Sequence, residues 1–229
     1  MAAPEFDDLW VVVPVYNEAA VLRQVLDELT AVFGHICVVD DASTDGSRAI
    51  ARGFAARGVR LVKHPVNLGQ GAALQTGFAY VLADPLMARV VTFDSDGQHM
   101  VDDAVRLARR LADGFDVVLG SRFLGRRAVA LGRAKRAVLR LAVAYTNFSV
   151  RLKLTDTHNG LRAMSRRAVA AMNLTQEGMA HATEILERIR SAHLSHAEEA
   201  VEIKYSEYSK AKGQSLLNSI NVLVDLLVK

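Results

Sequence analysis

The sequence predicts an α/β fold with a doubly wound, mostly parallel sheet. Along the first half of the chain, short apolar runs of strand length alternate with longer stretches in which apolar residues recur at helical spacing. The chain has 229 residues, 51% of them hydrophobic and 23% charged, so it can bury the core of a full globular domain. We therefore expect residues 1–229 to form a single domain.

The first half of the chain contains the predicted sheet. Pro14 stops the first apolar run, and Asp40 and Asp41 stop the second, so both strands end in polar loops. The predicted strands are Leu9–Val13, Ile36–Val39, Val59–Val62, Val90–Phe93 and Val117–Leu119. The predicted helices between them are Leu22–Phe33, a helix that begins near Gly46, Gln70–Ala83 and Ala104–Leu111. Strands that are joined through helices in this way lie parallel in one sheet.

After residue 120 the pattern becomes mostly helical. Helices are predicted over Arg133–Val150, Ser165–Met172 and Ala180–Ala192, and a final helix over Leu216–Val228 carries an apolar stripe. Apolar residues alternate over Val201–Tyr205, which predicts one further strand. We expect residues 9–123 to bind a nucleotide and residues 124–229 to form a helical half that supplies the acceptor side.

The cysteine content and the N-terminal segment favour a cytoplasmic protein. Cys37, the single cysteine, lies in an apolar run and fits a reducing compartment. The segment Met1–Asp8 carries three acidic residues and no basic one, unlike a signal peptide. No apolar stretch reaches the roughly 18 residues that a membrane-spanning helix needs.

Two carboxylates follow the fourth predicted strand. Asp94 and Asp96 are one residue apart and are followed by Gly97 and Gln98. Open α/β sheets bind ligands at the carboxyl ends of their strands, and paired carboxylates there suit Mg²⁺ or Mn²⁺. The structural alternative is an Asp-rich turn that ends a strand.

Three other loops offer groups for nucleotide binding. Asp41 can accept hydrogen bonds from a base or a ribose, and Tyr16 can stack on a base. The turn Asn67–Gly71 leads into a helix and allows close approach to a phosphate. Pro14 and Glu18 also have structural interpretations, as a strand end and a helix N-terminal charge.

Several common nucleotide and metal sites are disfavoured. The only Gly-x-Gly is Gly69–Gly71, which follows the third strand and has Leu74 where a dinucleotide fingerprint needs its last glycine. There is no P-loop motif, and a single cysteine with seven scattered histidines does not form a zinc pattern.

An acid-free basic segment separates Asp116 from Asp156. This pattern favours an anionic partner such as a phosphate, a phospholipid surface or a nucleic acid over a simple solvated helix face. The segment contains nine positive charges, Arg122, Arg126, Arg127, Arg133, Lys135, Arg136, Arg140, Arg151 and Lys153.

Taken together, these motifs resemble family-2 glycosyltransferases with a GT-A fold, a single Rossmann-like domain. The resemblance is closest to the dolichyl- and polyprenyl-phosphate sugar transferases. It rests on Val11–Glu18, Val38–Gly46, Asn67–Gly71, Asp94–His99 and Gly120–Phe123, which occur in the family's order and spacing. Asp156–Arg162, His181–Leu186 and Lys212–Ser215 are similar but less diagnostic.

The resemblance implies an inverting, metal-dependent transfer of a sugar from a UDP- or GDP-sugar to a polyprenyl phosphate. Its implied nucleotide-binding residues are Pro14, Tyr16, Glu18, Asp41, Gly71, Asp94 and Ser95. Its implied ligands for Mg²⁺ or Mn²⁺ are Asp94, Asp96 and Gln98. Its implied catalytic residues are Asp96, Arg122 and Arg133. If the acceptor were instead a hydroxyl, it would need a general base, and the candidates for that role are Asp156 and Glu184.

Two alternatives to a polyprenyl-phosphate acceptor remain open. The enzyme could extend a saccharide through a hydroxyl in cell-surface polysaccharide or glycolipid synthesis, which would require a general base. A non-catalytic sugar-nucleotide-binding subunit of a membrane complex is the other alternative, and the intact Asp94, Asp96 and Gln98 count against it.

A lipid acceptor also implies contact with a membrane. We expect peripheral attachment at the inner face of the membrane rather than nucleic-acid binding. The residues expected to meet anionic head groups are Arg126, Arg127, Lys135 and Arg140. The final helix Leu216–Val228 is expected to pack on the core or in a homodimer, with insertion in the membrane or a small membrane-protein partner as the alternatives.

Overall fold

The computed structural model describes residues 4–124, 143–176 and 180–204. Within them, seven strands form one sheet in the order β3-β2-β1-β4-β6-β5-β7, and only β6 runs antiparallel to its neighbours. The strands are β1 Leu9–Val15, β2 His35–Asp40, β3 Val59–Lys63, β4 Arg89–Thr92, β5 Val117–Ser121, β6 Arg162–Ser165 and β7 His196–Ala200. The helices are α1 Ala19–Thr30, α2 Ser47–Gly53, α3 Gln70–Leu82, α4 Val101–Leu111, α5 (described over 143–150), α6 Arg166–Ala171 and α7 Ala180–Ser191.

Helices cover both faces of the sheet, which explains why every residue of β1 is buried. Val11 and Val13 point to the face covered by α1, α2 and α4. Trp10 and Val12 point to the opposite face, where α3, α6 and α7 pack. The predicted α/β class and the mostly parallel sheet are confirmed.

The five predicted strands of the first half are all present. Their observed bounds differ from the prediction by two residues or fewer at each end. Cys37 is buried in β2, as its apolar neighbours predicted. In the second half, α6 and α7 match the predicted helices closely.

The predicted strand over Val201–Tyr205 is wrong. The strand at this end of the sheet is β7, and among the described residues 201–204 only Ile203 makes an isolated bridge, to His99. β7 reads His-Ala-Glu-Glu-Ala, so it carries no apolar alternation and pairs with β5 through its main chain. Prediction also missed β6, whose four residues lead directly into α6 and run antiparallel to both neighbouring strands.

Several predictions fall outside the described residues. The final helix Leu216–Val228 lies there, and so do Arg126, Arg127, Arg133, Lys135, Arg136 and Arg140. Of the predicted basic helix Arg133–Val150, only 143–150 is described, and it is helical. None of the helices in the described ranges is long and apolar enough to span a membrane.

Candidate active site

A cleft opens at the carboxyl ends of β1, β2 and β4. Because these three strands are parallel and adjacent, their following loops meet at one edge of the sheet. The cleft is lined by Pro14, Val15, Tyr16, Asp41, Gln70, Ala73, Asp94, Ser95 and Asp96. Thus five of the seven predicted nucleotide-binding residues line it, namely Pro14, Tyr16, Asp41, Asp94 and Ser95.

Asp94 is held in a fixed orientation through both carboxylate oxygens. Gln70 Nε2 donates to Oδ1 at 2.9 Å, and His99 Nε2 lies 3.0 Å from Oδ2. Burial would raise the pKa of Asp94, but the His99 hydrogen bond and nearby positive charges outweigh it and hold that pKa below its usual range. Asp94 is therefore an ionised, oriented acceptor at the floor of the cleft.

Asp96 lies in the same loop and repels Asp94. The backbone N–H of Gln98 donates to Asp96 Oδ1 at 3.0 Å. Burial, together with the negative charges of Asp94 and Glu18, raises the pKa of Asp96. Because each ionised carboxylate raises the free energy of the other, a cation bound beside both would relieve their repulsion.

The donor set fits a divalent ion that shares its shell with a substrate. No group of three His, Cys, Asp or Glu side chains in the described ranges is arranged to hold a metal. Mg²⁺ and Mn²⁺ commonly take one or two carboxylates and complete their shell with water and phosphate oxygens, which matches Asp94 and Asp96. Gln98, the third predicted ligand, is absent from the lining of the cleft, and its carbonyl accepts the N–H of Lys204.

Asp41 fastens the glycine-rich turn to the end of β2. Its Oδ1 accepts the backbone N–H of Leu68 at 2.8 Å, and its Oδ2 accepts that of Gly69 at 2.8 Å. His64 Nδ1 lies 2.7 Å from Asp41 Oδ1, and its Nε2 lies 2.9 Å from the hydroxyl of Thr76 in α3. The turn that leads into α3 is therefore anchored by a buried chain of hydrogen bonds.

The other predicted nucleotide-binding residues surround this cleft in different ways. Tyr16 is 45% exposed at its rim, where a base can stack on the ring. Glu18 is buried and is the N-cap residue directly before α1, and its backbone N–H donates to Ser47 Oγ at 2.8 Å. Gly71 allows the backbone at Gln176 to pack closely against α3, since a Cβ added at Gly71 would lie 2.3 Å from the Gln176 carbonyl oxygen.

Arg122 and Asp156 form a bidentate ion pair on the second-half side of the site. Arg122 Nε and Nη2 donate to the two carboxylate oxygens at 2.6 and 2.8 Å. Burial would raise the pKa of Asp156, but the hydrogen bonds and charge of Arg122 outweigh it and lower that pKa. A carboxylate with a lowered pKa is a weak proton acceptor, so the geometry does not favour Asp156 as a general base.

Glu184 holds a loop in place. Its carboxylate accepts the backbone N–H groups of Thr175 and Gln176, both at 2.9 Å to Oε2. Burial would raise its pKa, but these backbone hydrogen bonds outweigh it and lower the pKa of Glu184. The contacts favour a structural role for Glu184 over the predicted role as a base.

Arg162 is a buried cation close to the site, and its sequence motif predicted no role for it. It is 2% exposed in β6 and lies near both Asp94 and Asp156, whose charges oppose the lowering of its pKa by burial. Burial lowers the pKa of the neighbouring His158 to about 4, so His158 adds no charge at neutral pH. The arginine in Gly160–Arg162, within an otherwise apolar stretch, was the sequence signal for this buried cation.

Comparison with known protein families gives a match over most of the chain. The sequence model of Glycosyl transferase family 2 matches residues 10–172. The UDP-N-acetylglucosamine–dolichyl-phosphate N-acetylglucosaminyltransferase of Methanococcus voltae is 27% identical, over 96% of this chain and 95% of that protein. The undecaprenyl-phosphate 4-deoxy-4-formamido-L-arabinose transferase of Aeromonas hydrophila is 30% identical, over 95% of this chain and 66% of that protein.

Solved structures agree on the fold. Glucosyl-3-phosphoglycerate synthase from Mycobacterium tuberculosis aligns with a TM-score of 0.67 at 21% identity, covering 96% of this chain and 79% of that one. With its seven-stranded sheet and its cleft at the strand ends, the protein has the GT-A fold. The chain belongs to glycosyl transferase family 2 and is a glycosyltransferase related to the polyprenyl-phosphate sugar transferases.

Proposed function

We propose that this enzyme transfers a sugar, with inversion, from a UDP- or GDP-sugar to a polyprenyl phosphate. The observation that carries the proposal is the oriented pair Asp94 and Asp96 in the cleft that Asp41 also lines. The two relatives named above are transferases whose names contain dolichyl phosphate and undecaprenyl phosphate, which favours a lipid-phosphate acceptor.

The donor occupies the cleft, with its base towards Tyr16 and Asp41 and its diphosphate towards Asp94 and Asp96. The synthase from Mycobacterium tuberculosis was solved with Mn²⁺ and UDP and with Mg²⁺ and UDP, which supports the same cofactors here. Asp94 and Asp96 would hold the ion, which would neutralise the charge that develops on the leaving diphosphate. Gln70 and His99 keep Asp94 oriented for this task.

The acceptor side of the site favours a nucleophile that is already ionised. Asp156 is paired with Arg122, and Glu184 is bonded to the loop at Thr175, so neither carboxylate is set up to remove a proton from a hydroxyl. A phosphate oxygen needs no general base and is positioned instead by arginines. We assign that positioning to Arg122, which Asp156 orients, and to Arg133, which lies outside the described residues.

We also propose that the enzyme meets its acceptor as a peripheral protein at the cytoplasmic face of the membrane. Phe148 in α5 is 85% exposed, and Tyr145 is exposed one helical turn before it. Arg151 and Lys153 follow and are exposed as well. Aromatic side chains beside basic ones fit the interface between acyl chains and anionic head groups.

The test of the proposed reaction compares two acceptors that differ by one group. The purified chain is incubated with UDP- and GDP-sugars, Mg²⁺ and either a polyprenyl phosphate or the matching polyprenol. We expect transfer to the phosphate alone, with an inverted anomeric centre in the product. Transfer to the polyprenol or to a free saccharide instead would favour the hydroxyl-acceptor alternative.

A further inference from the structure

The carboxylate of Asp41 has little hydrogen-bonding capacity left for a nucleotide base. An ionised carboxylate offers about four acceptor positions, two on each oxygen. Oδ1 already accepts from Leu68 N at 2.8 Å and from His64 at 2.7 Å, and Oδ2 accepts from Gly69 N at 2.8 Å. These contacts leave a single acceptor position, and it is on Oδ2.

The contact from His64 is a donated hydrogen bond, and it is well fixed. An ionised carboxylate can only accept, so the proton on this side of the ring is on Nδ1. The opposite nitrogen, Nε2, lies 2.9 Å from the Thr76 hydroxyl, which can donate to it. His64 is 7% exposed, and its ring is held from both sides. The His64 N–H therefore fills one acceptor position of Asp41 Oδ1 in the folded protein, whether or not a nucleotide is bound.

The two candidate bases differ in the donors that they present to a carboxylate. Guanine presents two adjacent donors, N1–H and the N2 amino group, and a carboxylate pairs with both only by using both oxygens. Uracil presents one donor, N3–H, between two carbonyl groups. A single acceptor position satisfies uracil, whereas guanine would keep an unpaired buried donor, which weakens binding.

We propose that the donor nucleotide is a uridine diphosphate sugar, and that His64 sets this preference by occupying Asp41 Oδ1. This inference rests on the proposed function, because it assumes that the cleft binds a nucleoside diphosphate. It makes His64 a specificity residue that acts through Asp41 and does not itself touch the base.

The experiment measures dissociation constants of UDP, GDP and N3-methyl-UDP for the full chain with Mg²⁺ by calorimetry. UDP should bind at least about ten-fold more tightly than GDP, and N3-methylation should cost UDP a similar factor, as expected for one buried hydrogen bond. GDP binding as tight as UDP, or no effect of the methyl group, would overturn the proposal.

Two variants test the part played by His64. His64→Leu removes the N–H and opens a position on Oδ1, so the preference for UDP over GDP should shrink. His64→Asn keeps a donor near the place of Nδ1 and should retain the preference. An unchanged preference in His64→Leu would overturn the role of His64, and thermal melting checks that the variant is folded. If no nucleoside diphosphate binds at all, the proposed function itself fails, whereas selective GDP binding refutes only the base assignment.

Discussion

Gly160 lies directly against Asp94. A Cβ on Gly160 would sit 2.0 Å from Asp94 Oδ2, the oxygen that also contacts His99. The loop that carries Asp156 therefore packs on the carboxylate at the floor of the donor cleft. Through this contact the second half of the chain fixes the geometry of the first.

Gly160→Ala should disable the site by displacing Asp94. The added methyl has no room, so Asp94 must move or the loop must shift, and a displacement of about 1 Å in a catalytic group costs roughly 100-fold in rate. Steady-state turnover and calorimetric Mn²⁺–UDP binding should both fall. Gly53→Ala is the matched control, because a Cβ at Gly53 has no atom within 4 Å and should leave both quantities unchanged. Wild-type turnover in Gly160→Ala would contradict the packing argument.

The Arg122–Asp156 pair should contribute stability that depends on pH. Asp156→Asn removes the charged partner of a part-buried guanidinium, and breaking such a buried pair costs about 3 kcal/mol of unfolding free energy. The folded pKa of Asp156 is lowered, so the unfolded chain takes up its proton first as the pH falls below about 4. The contribution is therefore full at neutral pH and is lost as the pH falls through the folded value.

Urea unfolding of the wild type and of Asp156→Asn at pH 7 and at pH 3 measures this effect. The difference in unfolding free energy between the two proteins should be largest at pH 7 and should shrink at pH 3. A difference that does not change with pH would mean that the ion pair is not its source.

Glu184→Gln should weaken the protein by loosening the loop at Thr175 and Gln176. A neutral amide replaces an acceptor of two backbone N–H groups, which lowers the unfolding free energy by about 1 kcal/mol. Turnover should fall modestly, and the pH–rate profile should keep its shape. Loss of nearly all turnover in a variant of unchanged melting temperature would instead support Glu184 as a base for a hydroxyl acceptor.

Membrane binding should depend on both charge and exposed aromatic side chains. In flotation assays the enzyme should bind liposomes that contain anionic lipid at low salt and be released at high salt. Phe148→Ala should weaken that binding. The ring is 85% exposed, so its removal costs little packing in the folded protein but removes apolar area that would be buried in the membrane interface. Leu86→Ala, at a 78% exposed position in the turn before β4, is the matched control. Equal binding to neutral liposomes would rule out electrostatic docking.

Sequence patterns predicted the donor half of the fold well, for a physical reason. Parallel strands buried on both faces, such as Leu9–Val15, appear as continuous apolar runs, although Pro14 does not end β1 as expected, and Asp41 follows the last residue of β2. β6 and β7 lack this pattern, because β6 has only four residues and begins with Arg162, and β7 is only partly buried and contains two glutamates. β7, for example, pairs with β5 through its main chain, and Glu198 within it accepts the N–H groups of Thr155 and Asp156.

The chemistry of single loops was predictable, but the contacts between loops were not. The spacing of Asp94 and Asp96 predicted their shared position in the cleft. In contrast, nothing in the sequence indicates that Asp156 pairs with Arg122, or that His64 lies between Asp41 and Thr76. Such pairs form only when loops from separate strands meet, and the roles of Asp156 and Glu184 as bases stay predictions.

If Asp94 and Asp96 act through a divalent ion on a nucleotide sugar, removal of that ion with a chelator must abolish transfer. Transfer from a UDP- or GDP-sugar to a polyprenyl phosphate is followed while free Mg²⁺ and Mn²⁺ are removed and then restored. We expect transfer to fall to background with the chelator and to return when either ion is restored. Full transfer after complete removal of divalent ions would contradict it.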